Sequence, residues 1–99
     1  MKELNPTTFL EFIKSDKKVI VDFYGPKCPA CETLLPYLER VSEEHPNRIA
    51  KIDATEEMEI AIEYGVRNIP TMLVFKNNVL VGRRVGSVKN VDKIHELLA

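Results

Sequence analysis

The 99-residue sequence has almost no net charge and no long apolar stretch. The sequence has 14 lysines and arginines and 15 acidic residues. It therefore has no excess of positive charge that would attract nucleic acid or an anionic membrane. The longest apolar runs, such as MLVF, are far shorter than the ~20 residues of a membrane span, and MKELNPTTFLEF lacks the apolar core of a signal sequence. We therefore expect a soluble, cytoplasmic protein with no nucleic-acid and no membrane partner.

Cysteine and histidine are also scarce, with two of each. A structural bridge between Cys28 and Cys31 would be unfavourable in a reducing compartment and would close too short a loop to restrict the unfolded chain much. A zinc site at the cysteines would need two more ligands; His45 lies in range, but no second histidine follows three to five residues later. We interpret His95 as a surface residue and expect no metal, which leaves electron transfer as the use of the cysteine pair.

No repeat, low-complexity stretch or linker divides the sequence, so residues 1–99 are expected to form one domain. Apolar periodicity and turn residues predict helices at 4–16, 28–44, 55–65 and 89–99, and strands at 18–24, 48–53, 71–75 and 79–85. Strands separated by helices favour parallel pairing, whereas the last two, joined by KNN, form an antiparallel hairpin. The predicted class is therefore α/β, with a mixed sheet between helix layers.

The spacing of Cys28 and Cys31 suits thiol–disulfide exchange. Cys28 is placed at the N-terminus of a helix, where free N–H groups and the helix dipole favour a thiolate, and Lys27 adds positive charge beside it. Both effects lower the expected pKa of Cys28 and make it the nucleophile. Cys31 follows one turn later on the apolar face, at a distance that permits a disulfide. An exposed attacking thiolate and a shielded resolving thiol are what this chemistry requires.

Two further residues have more than one interpretation. Asp22 interrupts an apolar strand; if buried, its pKa should rise toward neutrality, and it could accept the proton of Cys31. Alternatively it reaches solvent near the strand end, and periodicity does not decide between the two. Pro70 precedes an apolar strand, where the residues alone favour an ordinary trans proline.

The sequence resembles the thioredoxin family over nearly its whole length. The matching segments are VDFY, CPAC, LLPYLERV, AKID, YGVRNIPTMLVFKN and RRVGS, in the family's order and spacing. The resemblance implies a thioredoxin fold, in which helices flank both faces of a central mixed sheet of four strands, or five if MKEL forms a short edge strand. It also implies that the protein reduces disulfides in protein substrates and is recharged by a dedicated reductase, for which we expect thioredoxin reductase. Nothing in the sequence demands more than a monomer, and we expect no cofactor beyond a redox-active Cys28–Cys31 disulfide.

The resemblance assigns roles to individual residues. It makes Cys28 the nucleophile and Cys31 the resolving cysteine, Asp22 the buried acid beneath them, and Lys51 the lysine near that acid. It makes Pro70 a cis-proline packed against the disulfide. The residues that it implies for substrate docking are Gly25, Pro26, Lys27, Ile69, Pro70, Gly86 and Ser87.

The residues around the cysteines depart from the usual Trp-Cys-Gly-Pro-Cys of the family. Here Lys27 replaces the tryptophan, Pro29 and Ala30 separate the cysteines, and the chain contains no tryptophan at all. A proline directly after the first cysteine resembles glutaredoxins. It leaves open an alternative function, a glutaredoxin-like disulfide reductase that is coupled to glutathione. A non-catalytic binding module is a third possibility, against which both cysteines and Asp22 argue.

Overall fold

The computed structural model describes residues 1–99 and contains five strands and four helices. The strands are β1 (Lys2–Glu3), β2 (Val19–Tyr24), β3 (Ile49–Asp53), β4 (Thr71–Lys76) and β5 (Val79–Val85). The helices are α1 (Pro6–Phe12), α2 (Pro29–Glu44), α3 (Met58–Glu63) and α4 (Asp92–Leu98). None of the four helices combines the length and the apolar character that crossing a membrane requires.

The strands form one mixed sheet in the order β1-β3-β2-β4-β5. β1, β3 and β2 run parallel, and β4 and β5 join as antiparallel neighbours. The predicted mixed sheet is confirmed. The fifth strand is the two-residue β1, which the MKEL segment contributes.

Successive residues of the central strand β2 point to opposite faces of the sheet, because side chains alternate along a strand. Val21 and Phe23 belong to the core that packs under α1 and α3, whereas Ile20 packs with residues of α2 and α4. Asp22 is two residues after Ile20, so its side chain points to the same face of the sheet, the one that α2 covers. The sheet thus places this acid beneath the helix that begins at the cysteines.

Helix α1 begins at Pro6, two residues into the predicted segment 4–16. Asn5 is the N-cap; its Oδ1 accepts a hydrogen bond from the Thr8 N–H, and the Asn5 N–H donates to Thr8 Oγ1, both at 2.9 Å. Pro6 occupies the first turn, where its missing N–H is not needed. The helix buries Phe9 in the core and ends at Phe12, earlier than the predicted 4–16.

The β4–β5 hairpin turns on Asn77 and Asn78, whose φ values are +51° and +69°. Two consecutive residues with positive φ make the tight turn that matches the twist of a hairpin, and asparagine tolerates this conformation better than most residues. The N–H groups of Asn77 and Asn78 donate to the carbonyls of Ser15 and Ile13 at 2.7 and 2.8 Å. These two bonds fasten the hairpin to the end of α1.

The predicted helix at 55–65 is wrong at its start, since α3 begins only at Met58. The Asp53 carboxylate accepts hydrogen bonds from the Thr55 N–H at 2.8 Å, the Thr55 hydroxyl at 2.6 Å and the Glu56 N–H at 3.2 Å. These bonds close a turn that precedes α3, and the Thr55 hydroxyl in particular lowers the pKa of Asp53. Helix α4 is also shorter than predicted, and begins at Asp92.

Candidate active site

Cys28 and Cys31 are joined by a disulfide at the N-terminus of α2, with their Cα atoms 5.2 Å apart. Cys28 is the N-cap residue and has an extended backbone, and Pro29 occupies the first helical turn. The Cys28 Sγ accepts a hydrogen bond from the Cys31 N–H at 3.2 Å. A sulfur therefore takes the place of the oxygen that usually caps a helix.

The two cysteines are almost equally buried, with exposed fractions of 9% for Cys28 and 6% for Cys31. The expected contrast between an exposed Cys28 and a shielded Cys31 is therefore not present in the oxidised chain. The reason lies in the disulfide and the Cys31 N–H, which together hold the Cys28 sulfur against the first turn of α2.

Asp22 is buried, with an exposed fraction of 2%, and its Oδ1 has no hydrogen-bond partner. Desolvation is the main cause that raises its pKa to about 7; the Lys51 ammonium lowers this pKa, and the Glu3 carboxylate raises it further. The interpretation of Asp22 as a solvent-exposed residue at a strand end is thus wrong. α2 covers the strand here, and that cover does not show in the periodicity of β2.

Three strands bring charged side chains into one row on this face of the sheet. Lys51 is in register with Asp22 on one side and with Glu3 on the other. Lys51 Nζ lies 4.0 Å from Glu3 Oε1 and 5.3 Å from the centre of the Tyr24 ring. The Tyr24 hydroxyl donates to Glu3 Oε1 at 2.6 Å. Lys51 is therefore shared between the buried acid and Glu3, a residue that the sequence interpretation missed.

A cleft of about 230 Å³ connects the buried acid to Cys31. Asp22, Lys51 and Cys31 all line it, and so do three of the expected docking residues, Gly25, Pro26 and Lys27. A cleft lined by both a carboxyl group and Cys31, and wide enough for water, gives a path along which a proton can pass once Cys31 is reduced. Sequence reasoning also missed Glu32 and Leu35, which line the cleft from the first turns of α2.

Three more of the expected docking residues, Ile69, Pro70 and Gly86, meet at the start of β4. The Ile69–Pro70 peptide bond is cis, as the resemblance implies and unlike the trans form that the residues alone favour. The Gly86 N–H donates to the Pro70 carbonyl at 2.8 Å. A Cβ added at Gly25 would lie 2.7 Å from Ile69 Cδ1, so the Gly25 loop touches Ile69 directly.

Comparison with known proteins decides the family. The thioredoxin family profile matches residues 1–99. The chain belongs to the thioredoxin family. The thioredoxin of Buchnera aphidicola is 37% identical over 93 residues, which are 91% of this chain and 85% of that protein. The thioredoxin of Chlorobaculum thiosulfatiphilum is 39% identical over 80 residues, 79% of this chain and 74% of that protein.

Solved thioredoxins share the architecture of this member of the family. Mitochondrial thioredoxin 3 of Saccharomyces cerevisiae, in its oxidised form, matches with a TM-score of 0.84 and 30% identity, and the match covers 99% of this chain and 92% of that one. The thioredoxin fold expected from the sequence is confirmed. With the disulfide-forming Cys28–Cys31 pair in place, the chain is a thiol–disulfide oxidoreductase. The glutaredoxin-like alternative is not favoured.

Proposed function

We propose that this member of the thioredoxin family reduces disulfides in protein substrates, with Cys28 as the attacking and Cys31 as the resolving cysteine. The observation that carries the proposal is the position of Cys28 Sγ, which caps α2 and accepts the Cys31 N–H. In the reduced protein, the same N–H and the positive end of the helix dipole stabilise a thiolate at this sulfur.

The reaction transfers two electrons to the substrate in two exchanges. The Cys28 thiolate attacks one sulfur of the substrate disulfide, which forms a mixed disulfide and releases the other substrate sulfur as a thiolate. Cys31 then loses its proton and attacks Cys28 Sγ. This step forms the Cys28–Cys31 disulfide and releases the second substrate sulfur, so that the substrate is reduced and the enzyme is oxidised.

Asp22 accepts the proton of Cys31 during the second exchange, through water in the cleft that both residues line. Burial supports this role, since it raises the pKa of Asp22 to about 7, where a carboxylate is a far better base than an ordinary aspartate. Lys51, in register with Asp22, favours its charged form and so limits the rise of its pKa.

Substrates dock along the edge formed by Gly25, Pro26 and Lys27 on one side and by Ile69, Pro70, Gly86 and Ser87 on the other. In this proposal Pro70 packs against the disulfide, and the Ile69 backbone pairs with the substrate chain. Lys27 is exposed and carries a positive charge at this edge. Substrates with acidic residues near their disulfide should therefore react faster than neutral ones.

The remaining parts of the proposal concern the cellular setting. Residues 1–99 act as one domain and as a monomer, in the cytoplasm, and pass electrons from a reductase to substrate proteins. The reductase is thioredoxin reductase, and the cysteine pair needs neither a metal nor any cofactor beyond its own disulfide.

Reduction of insulin tests the catalytic proposal. With dithiothreitol as donor, the wild-type protein should accelerate the precipitation of the insulin B chain, and Cys28→Ser should abolish the acceleration. Persistence of the full rate in Cys28→Ser would refute the assignment. Recharging of the oxidised protein by NADPH and thioredoxin reductase, against glutathione and glutathione reductase, tests the partner; faster recharging by glutathione would contradict it.

A further inference from the structure

The two histidines of the chain lie together, although 50 positions separate them in the sequence. The rings of His45 and His95 pack edge to face with their centres 5.5 Å apart. His95 Nε2 also lies 3.4 Å from Glu44 Oε2. One ligand atom of each of these three residues lies within 4.8 Å of the other two. The fold thus assembles a set of two imidazoles and a carboxylate that was not apparent from the cysteine spacing.

The packing of α2 against α4 brings these side chains together. His45 follows Val41 by one helical turn, and His95 is adjacent to Ile94; Val41 and Ile94 are fully buried in the same core cluster. Adjacent residues within a helix point in different directions. His45, however, is the C-cap residue of α2 and has left the helical conformation, with φ −130° and ψ 76°. This break allows Glu44 and His45 to reach α4 together.

The donor set and its dimensions match a divalent transition metal. Zinc binds imidazole nitrogen and carboxylate oxygen at about 2.0–2.2 Å in a tetrahedron, so two ligand atoms stand about 3.4 Å apart. The distance from His95 Nε2 to Glu44 Oε2 already has this value. The distances from the His45 ligand atom to the other two ligand atoms are at most 4.8 Å. Small rotations of these half-exposed side chains would shorten them to about 3.4 Å.

We propose that Glu44, His45 and His95 form a binding site for Zn²⁺ or a similar borderline cation, with water as the fourth ligand. Two imidazoles select such ions over Mg²⁺ and Ca²⁺, which prefer an all-oxygen shell. The site lies at the opposite end of the 16-residue helix α2 from Cys28, about 24 Å away at 1.5 Å per residue. Metal bound here leaves both thiols free and links the C-terminal end of α2 to α4.

The test uses the oxidised protein, because its disulfide removes both thiols as competing ligands. Calorimetric titration with Zn²⁺ should show saturable binding of one ion per chain, and Mg²⁺ should show none. In NMR spectra the ring signals of both histidines should shift together and saturate at the same Zn²⁺ concentration. Zn²⁺ should also raise the Tm of the protein in proportion to the logarithm of its concentration.

Single substitutions identify the ligands. His45→Gln, His95→Gln and Glu44→Gln should each weaken Zn²⁺ binding by roughly tenfold or more, since loss of a supporting residue alone costs that much. Glu43→Gln, which removes the neighbouring exposed carboxylate, is the matched control and should bind as the wild type does. All four changes lie at exposed or half-exposed positions, and melting curves without metal confirm that each variant is folded. Absence of saturable binding, a shift of only one imidazole, or unchanged binding in His95→Gln would overturn the proposal.

Discussion

Replacement of Asp22 by asparagine should stabilise the folded protein, by an amount that grows with pH. Burial without a hydrogen bond to Oδ1 penalises the charged carboxylate and raises its pKa from 3.8 to about 7. Asparagine has nearly the same shape and no charge at any pH. The substitution therefore removes the penalty on ionisation and leaves the packing under α2 much as it is.

The sign and size follow from the difference between the two pKa values. Below pH 3.8 the carboxyl group is protonated in both states and carries no penalty. As the pH rises toward 7, the unfolded chain gives up this proton first, so the folded protein binds more protons and loses stability relative to the unfolded chain. Well above pH 7 the carboxyl group is ionised in both states, and the loss of stability reaches its full size. For a pKa difference of about three units, this loss is about 4 kcal/mol. At pH 5 the same linkage gives under about 2 kcal/mol.

Urea denaturation at pH 5 and pH 8.5 measures the effect. The free energy of unfolding of Asp22→Asn should exceed that of the wild type by about 4 kcal/mol at pH 8.5 and by under about 2 kcal/mol at pH 5. Asp16→Asn, at an exposed position, is the matched control and should change stability by no more than about 0.5 kcal/mol at either pH. Equal effects of Asp22→Asn at the two pH values, or destabilisation at pH 8.5, would refute the reasoning.

Three smaller changes test other parts of the site. Glu3→Gln should lower the pKa of Asp22 by about 0.3 to 1.2 units, as expected for removal of a unit charge roughly 10 Å away; an NMR titration in which this pKa rises would contradict the link. Gly25→Ala should slow insulin reduction and cost about 0.5–1.5 kcal/mol of stability, because its Cβ would push the end of the half-buried Ile69 side chain out of its present rotamer; wild-type stability and rate would argue against the contact. Asp53→Ala should cost about 1 kcal/mol and speed amide hydrogen exchange at the turn before α3, and unchanged exchange there would count against that turn.

Much of the fold could be predicted because local chemistry and global packing agree. Asn5 is a favourable N-cap residue and Pro6 suits the first helical turn, so both indicate the start of α1. The continuous apolar run of β2 indicates a strand that is covered on both faces. Strand β1 could not be predicted in this way, because two residues are too few to show an alternating pattern. Its register, which brings Glu3 to Lys51, depends on the edge that β3 offers. The family resemblance therefore implies the buried acid Asp22 and its lysine, Lys51, but nothing in the sequence points to the second carboxylate, Glu3.

In the candidate site, too, some features could be predicted from the sequence and others only appear in the structure. The positions of Cys28 and Cys31 follow from the helical spacing that starts at Cys28, which the sequence displays directly. The burial of Asp22 required the position of α2 above β2, and the meeting of His45 with His95 required the packing of α2 on α4. Contacts between elements far apart in sequence have no local signal, and these are the features that the structure adds.

Trapping of the mixed disulfide tests the central claim, the division of work between the two cysteines, most directly. The reduced Cys31→Ser variant, mixed with a disulfide-containing protein, should accumulate a stable one-to-one adduct, and peptide mapping by mass spectrometry should locate its bond at Cys28. The Cys28→Ser variant should form little or no adduct under the same conditions. A stable adduct at Cys31 in Cys28→Ser, with none in Cys31→Ser, would contradict the account.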